Sequence, residues 1–222
     1  MFKVLIVVEA AQGDIDLRTM RCMVSALKQV IPAAASVQTI AANNLKQVDA
    51  DTLLCPLTLN LPDVVFPAQS IYQACRDVFG LRQRLVEQFN ISVADGCFWL
   101  PVVLTSKGPL YGEVIALSEE KQLQELSCDL SHFQPCHFSD FTRQQLYRLG
   151  YKVLRALSAP PSTYLVQFTV QDSQVCFDRL WPFPAAPAIA SLGVQEPDLF
   201  TCHWRCLTGQ AIIDLNLIPL NF

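Results

Sequence analysis

Among the residues able to do chemistry, cysteine and histidine stand out first. Cys202 and Cys206 are four apart on a predicted helix and so share a face, while Cys128, His132, Cys136 and His137 fall in a segment that could approach it. Four such sulfur and nitrogen ligands in a tetrahedron would hold zinc. Structural zinc sites usually pair two close-spaced knuckles, and here only the helix pair has that spacing. Small buried thiols packing a helix are therefore the favoured reading, with Cys136, His137, Cys202 and Cys206 kept as metal candidates. The nine cysteines, mostly in apolar runs, fit reduced thiols better than a disulfide framework. No Cys–His pair is locally arranged as a thiol nucleophile, and neither a Gly-x-Ser-x-Gly elbow nor a His-Glu-x-x-His helix occurs. After the first apolar run comes E-A-A-Q-G-D-I-D, which lacks the glycines needed to bring backbone amides to a pyrophosphate.

The elements that must position these residues follow from periodicity. Lys3 to Val8 predicts a strand, Leu17 to Val30 an amphipathic helix with Gly13-Asp14 before it as turn and cap, and Ser36 to Ala41 a second strand. Thr52 to Val65 holds a short strand and a proline-bounded loop, and the stretch from Phe66 to Val93 reads as helical. Ser139-Asp140 caps an amphipathic helix over 141–157. Residues 164–170 and 174–180 are β-branched and aromatic runs around Gln171-Asp172-Ser173, the pattern of an antiparallel hairpin. Proline stops at Pro182 and Pro184 and a helix near Pro197–Leu207 follow, then a short strand over 212–217.

That order, with these residues, resembles the closing segment of the ATP-grasp ligases, in particular the carboxyaminoimidazole ribonucleotide synthetases of purine synthesis. Phe200, His203, Arg205 and Gly209 match the family's helix, and Pro182-Phe183-Pro184 its P-R-P. Pro67, Ala74, Asp77 and Asn90-Ile91-Ser92-Val93 match the linker. Leu100-Pro101-Val102-Val103-Leu104, Tyr111-Gly112 and Ser118-Glu119-Glu120 before Leu123 match a phosphate-binding strand, its flap and the strand behind it. The resemblance implies an N-terminal βαβ, Rossmann-like unit over 1–66 and a shortened ATP-grasp-like α+β portion with antiparallel hairpins, in two small sheets, over 67–222. It further implies ATP and magnesium as cofactors of an intact site.

The departures fall on the chemistry. Gln167 stands where the resemblance expects the first metal-binding Glu, Arg179 where it expects the second, Phe183 for a phosphate-facing Arg and Thr105 for a phosphate-binding Lys; Asp178 keeps one oxygen ligand. Magnesium wants hard anionic oxygens in octahedral geometry, and an arginine repels it. Lys107 is a substitute phosphate contact at best, and Pro109 removes a flap N–H. The expected function is that of a non-catalytic structural or regulatory subunit. The alternatives are an active carboxylate–amine ligase using Asp178, Lys107 and Gln167 in a rearranged metal site, and a Cys/His metal- or thiol-dependent protein. The first forty or so residues also resemble the electron-transfer flavoprotein large subunit, a likeness that a shared βαβ pattern accounts for.

Composition sets the partners. Of 222 residues 51% are hydrophobic and only 16% charged, against about 25% charged in an ordinary domain, so a homo-oligomer or a protein partner is expected to cover apolar surface. A net charge of −4 with no basic patch speaks against nucleic acid. The run Val4–Val8 is too short to span a membrane or direct secretion, which leads to a cytoplasmic expectation.

Overall fold

A computed structural model describes residues 2–10, 14–117 and 132–219, with the side chains of 14–16 left aside. The expectations for Gly13, for Ser118-Glu119-Glu120 with Leu123, and for Cys128 lie outside the described residues.

The chain opens with β1 (Lys3–Val8), α1 (Asp14–Val30), β2 (Ser36–Ala41) and β3 (Thr52–Pro56). All three strands are parallel in the order β2-β1-β3. The run of β1 is apolar without alternation because both its faces are covered. Val4, Ile6 and Val8 pack with Met23, Ala26 and Leu27 of α1, while Val7 packs with Ala42, Leu45, Leu54 and Val64 on the other side.

Two linker helices follow, α2 (Gln69–Arg76) and α3 (Val78–Phe89). They break at Asp77, whose carboxylate accepts the Gly80 N–H at 2.9 Å and so caps α3. Then come β4 (Phe98–Thr105), β5 (Gly108–Tyr111), β6 (Val114–Leu117), β7 (His132–Cys136), α4 (Asp140–Ala156), β8 (Ser162–Gln171), β9 (Gln174–Trp181), β10 (Gln195–Glu196), α5 (Leu199–Leu207) and β11 (Asn216–Leu217). The predicted hairpin forms as β8–β9, closed by Asp172 and Ser173 at positive φ, and Ser139 caps α4 as expected.

The two hairpins do not make two sheets. β4 pairs antiparallel with β8 from Phe98↔Phe168 to Leu104↔Ser162, giving one six-stranded sheet in the order β7-β6-β4-β8-β9 with β5 on the end of β4. One face carries α4, where Gly150 lets Val102 approach. The other carries α5, with Thr163 Oγ1 donating to the Leu199 carbonyl at 3.3 Å. α1 packs against α5, so one hydrophobic core runs from the parallel sheet through to the antiparallel one. Among the described residues no helix is long and apolar enough to cross a membrane.

Candidate functional site

The β8–β9 hairpin brings together Gln167, Asp178 and Arg179. Gln167 and Arg179 are directly opposite, and the register then slips so that Phe168 faces Phe177. Asp178 is the extra residue of this bulge, an irregularity that typically re-aims a side chain. It is 3% exposed and meets Arg82 of α3. Oδ1 receives Arg82 Nη2 at 2.5 Å and Arg179 Nε at 3.4 Å, and Oδ2 receives the Gly96 N–H at 2.9 Å. Arg82 also donates from Nε to the Asp178 carbonyl at 2.9 Å and from Nη2 to Asp95 at 2.8 Å. Its hydrogen bond to Asp95, with those to Asp178 behind it, raises the guanidinium pKa against the opposing effect of burial. Both oxygens of the one surviving carboxylate thus already face cationic or N–H donors.

Gln167 is equally committed. Its Nε2 donates to the Gly96 carbonyl at 2.6 Å and its Oε1 accepts from Trp181 Nε1 at 3.1 Å. Arg179 lies over the Trp181 ring at 5.8 Å, a cation–π contact. These groups hold one another and the 94–97 loop in place. They do not fit magnesium with a triphosphate: the potential ligands are spent on protein donors, and a guanidinium stands in the way.

Thr105 and Lys107 belong elsewhere. Trp99, not Thr105, lies across from Gln167, and Thr105 is six residues further along β4, about 20 Å at the rise of a strand. Thr105 Oγ1 donates to the Gly108 carbonyl at 2.9 Å and accepts the Lys107 N–H at 3.1 Å, which builds the tip of the β4–β5 turn. Lys107 is exposed there. The candidate nucleotide contacts therefore fall into two groups in one sheet, Thr105 and Lys107 at the β4–β5 turn and Gln167, Asp178 and Arg179 on the β8–β9 hairpin.

The cysteine and histidine pairs are likewise separate. Among the described residues no group of three or more His, Cys, Asp or Glu is placed to hold a metal ion. Cys202 and Cys206 point their thiols at the Pro197 and Leu104 carbonyls, both at 3.5 Å. Cys136 sits on β7, and exposed His137 has Nδ1 3.9 Å from Glu113. Burial pushes the thiols of Cys55, Cys75 and Cys206 up to about 12 and raises Cys136, Cys176 and Cys202 as well. A nucleophilic cysteine needs the reverse. Cys22 departs from the reduced-thiol expectation, being disulfide-bonded, while Cys55, Cys75, Cys97, Cys136, Cys176, Cys202 and Cys206 are free.

Two polar groupings had no signature in the sequence. Past the carboxyl end of β1, Glu9 accepts from Thr58 Oγ1 and, at 3.1 Å, from Asn60 Nδ2. The carboxyl ends of parallel strands are where open α/β sheets bind ligands. In the second, buried His203 of α5 has Nδ1 3.1 Å from Ser162 Oγ. Partners 41 to 51 residues apart leave no local motif.

The chain has the ATP-grasp fold. No family model and no curated protein sequence matches it. Among solved structures, N5-carboxyaminoimidazole ribonucleotide synthetase from Thermotoga maritima superposes with a TM-score of 0.67 at 9% identity, over 98% of this chain and 78% of that one. Glycinamide-RNase-transformylase T from Mycobacterium tuberculosis gives 0.66 at 13% identity, over 96% and 82%, and L-amino acid ligase from Bacillus licheniformis 0.62 at 7%, over 92% and 74%. At such identities the likeness establishes the fold alone.

Proposed function

We propose that this chain is a non-catalytic ATP-grasp-fold protein that acts as a structural or regulatory subunit. The carrying observation is the Arg82–Asp178 pair. Where a catalytic site needs an anionic oxygen free for a metal, this chain has a buried carboxylate neutralised by its own guanidinium and a backbone N–H. Gln167 and Arg179 add no negative charge beside it, and the candidate phosphate contacts Thr105, at the end of β4, and Lys107, in the β4–β5 turn, lie too far away to help. The assembly, with a second copy or another protein in the cytoplasm, is supported by the sparse charge and by exposed Val65, Phe79, Phe141 and Ile213.

Thermal unfolding with and without millimolar ATP and magnesium tests this reading. A ligand at a hundred times its dissociation constant stabilises by about 2.7 kcal/mol, which for a domain of this size raises Tm by about 5–10 °C. We expect no change. A magnesium-dependent rise of that order would overturn the proposal in favour of an active ATP-dependent carboxylate–amine ligase, with ATP and magnesium as its cofactors.

A further inference from the structure

Strand β3 ends the parallel sheet and pairs with β1 on one side alone. A cavity of about 410 Å³ adjoins it, lined by Thr52, Leu53, Leu54 and Pro56 in succession. Side chains alternate between the two faces of a strand, so a cavity that touches successive residues runs along the free edge of β3 rather than over one face.

At that edge one residue has its backbone unpaired. In a strand the N–H and C=O of a residue point to the same side, and those of the next residue to the other. The Leu57 N–H donates to the Val7 carbonyl at 2.7 Å, so Leu57, Cys55 and Leu53 face β1. Thr52, Leu54 and Pro56 face the free edge. There the Thr52 N–H donates to the Asp49 carbonyl at 3.0 Å, and the Pro56 carbonyl accepts from Tyr72 Oη at 3.0 Å. The N–H and C=O of Leu54 have no hydrogen-bond partner among the described residues, although Leu54 is buried. An unpaired backbone group costs free energy that a matching ligand recovers. Nor does β3 carry a charged side chain of the kind that commonly guards an edge strand.

The rest of the cavity is largely apolar, with Phe66, Ile71 and Leu207 in its walls. His203 also lines it and is neutral near pH 7, because burial lowers its pKa to about 3. The carboxylate in the lining, Asp49, is exposed and paired with Lys3 at 3.6 Å.

We propose that this cavity receives an extended, apolar peptide segment of a partner protein, which lies alongside β3 and gives a C=O and an N–H to the N–H and C=O of Leu54. A donor and an acceptor on one side of one residue are complemented by the backbone of another extended chain, whichever way it runs. Addition of a strand to a sheet edge is a general mode of peptide recognition, with pockets taking alternate side chains. The edge is remote from the β8–β9 hairpin in the fold's connectivity, and the inference stands whether or not that hairpin binds nucleotide.

N-acetyl-leucine N-methylamide is a suitable probe, and methyl 2-acetoxy-4-methylpentanoate its control, with the same skeleton but an oxygen in place of each N–H. In the full chain without ligand, hydrogen exchange followed by NMR should be faster at the Leu54 amide than at that of Leu57. The diamide should bind saturably, shift the Leu54 amide resonance and slow its exchange. The diester should bind at least about tenfold more weakly, the worth of one hydrogen bond to a buried group. No saturable binding, binding that leaves the Leu54 amide unchanged, or a diester that binds as well as the diamide would each overturn the proposal. So would a Leu54 amide already protected in the free chain and released on dilution, which would make a second copy the occupant.

Discussion

A carboxylate with 3% exposure survives in a folded protein only beside a compensating charge, and Asp178 finds it in Arg82. Removing one partner of such a pair leaves the other poorly compensated. Asp178→Asn should therefore cost about 2–3 kcal/mol in urea unfolding, below the full penalty for a buried pair because Arg82 is partly exposed and keeps Asp95. Arg179→Ala, which removes only a 3.4 Å contact from a more exposed side chain, should cost under about 1 kcal/mol. Nor should Gln167→Glu with Arg179→Glu install a working nucleotide site, as calorimetry with ATP and magnesium can check, because Thr105 and Lys107 stay about 20 Å away. His203 provides a pH dependence. Its folded pKa of about 3 lies below the ordinary 6.5, so between these values the unfolded chain binds the extra proton. Its contribution is fully present above pH 6.5 and is lost as pH falls towards 3, with a slope approaching 1.4 kcal/mol per unit. Urea unfolding at pH 7 and 5 should show a drop of about 2 kcal/mol from this group that His203→Leu lacks. Of these residues the sequence singled out Asp178, Gln167 and Arg179, but not their partners. Arg82 is 96 residues from Asp178, and no local pattern announces a guanidinium where a ligand set would be open.

At the scale of elements, the close approach of the 94–97 loop to β8 ties the hairpin to α3. Gly96 gives its N–H to Asp178 and its carbonyl to Gln167, and a Cβ there would fall 2.3 Å from the Phe168 backbone. Gly96→Ala forces that backbone to move and should cost at least about 2 kcal/mol by chemical denaturation. The cap of α5 is a gentler test. Asp198 accepts from the N–H groups of Phe200 and Thr201, so Asp198→Ala should lose about 1 kcal/mol. Local chemistry made much of this legible. The β8–β9 turn, the Ser139 cap and the apolar run of β1 carry their signals within a few residues. The place of β4 does not. Leu100–Leu104 reads as a buried strand in any sheet, and only its pairing with β8, some sixty residues on, decides that it is a centre strand of one sheet rather than part of a second.

For the whole molecule, the ordering of parallel unit, linker helices, hairpin and closing helix was enough to reach the ATP-grasp fold from the sequence. What it could not supply was which residues meet across the fold, and these decide whether the scaffold retains its chemistry. On the proposed reading the β8–β9 hairpin is a structural junction, set at one edge of a single antiparallel sheet that is covered on both faces and continuous with the core of the parallel unit. Manganese tests this most directly, since it takes the same octahedral oxygen sites as magnesium and broadens nearby NMR signals. With manganese and ATP added to labelled protein, the amides of Gln167, Asp178 and Arg179 should broaden no more than those of the exposed surface. Selective broadening centred on these three, reversed by excess magnesium, would contradict the account.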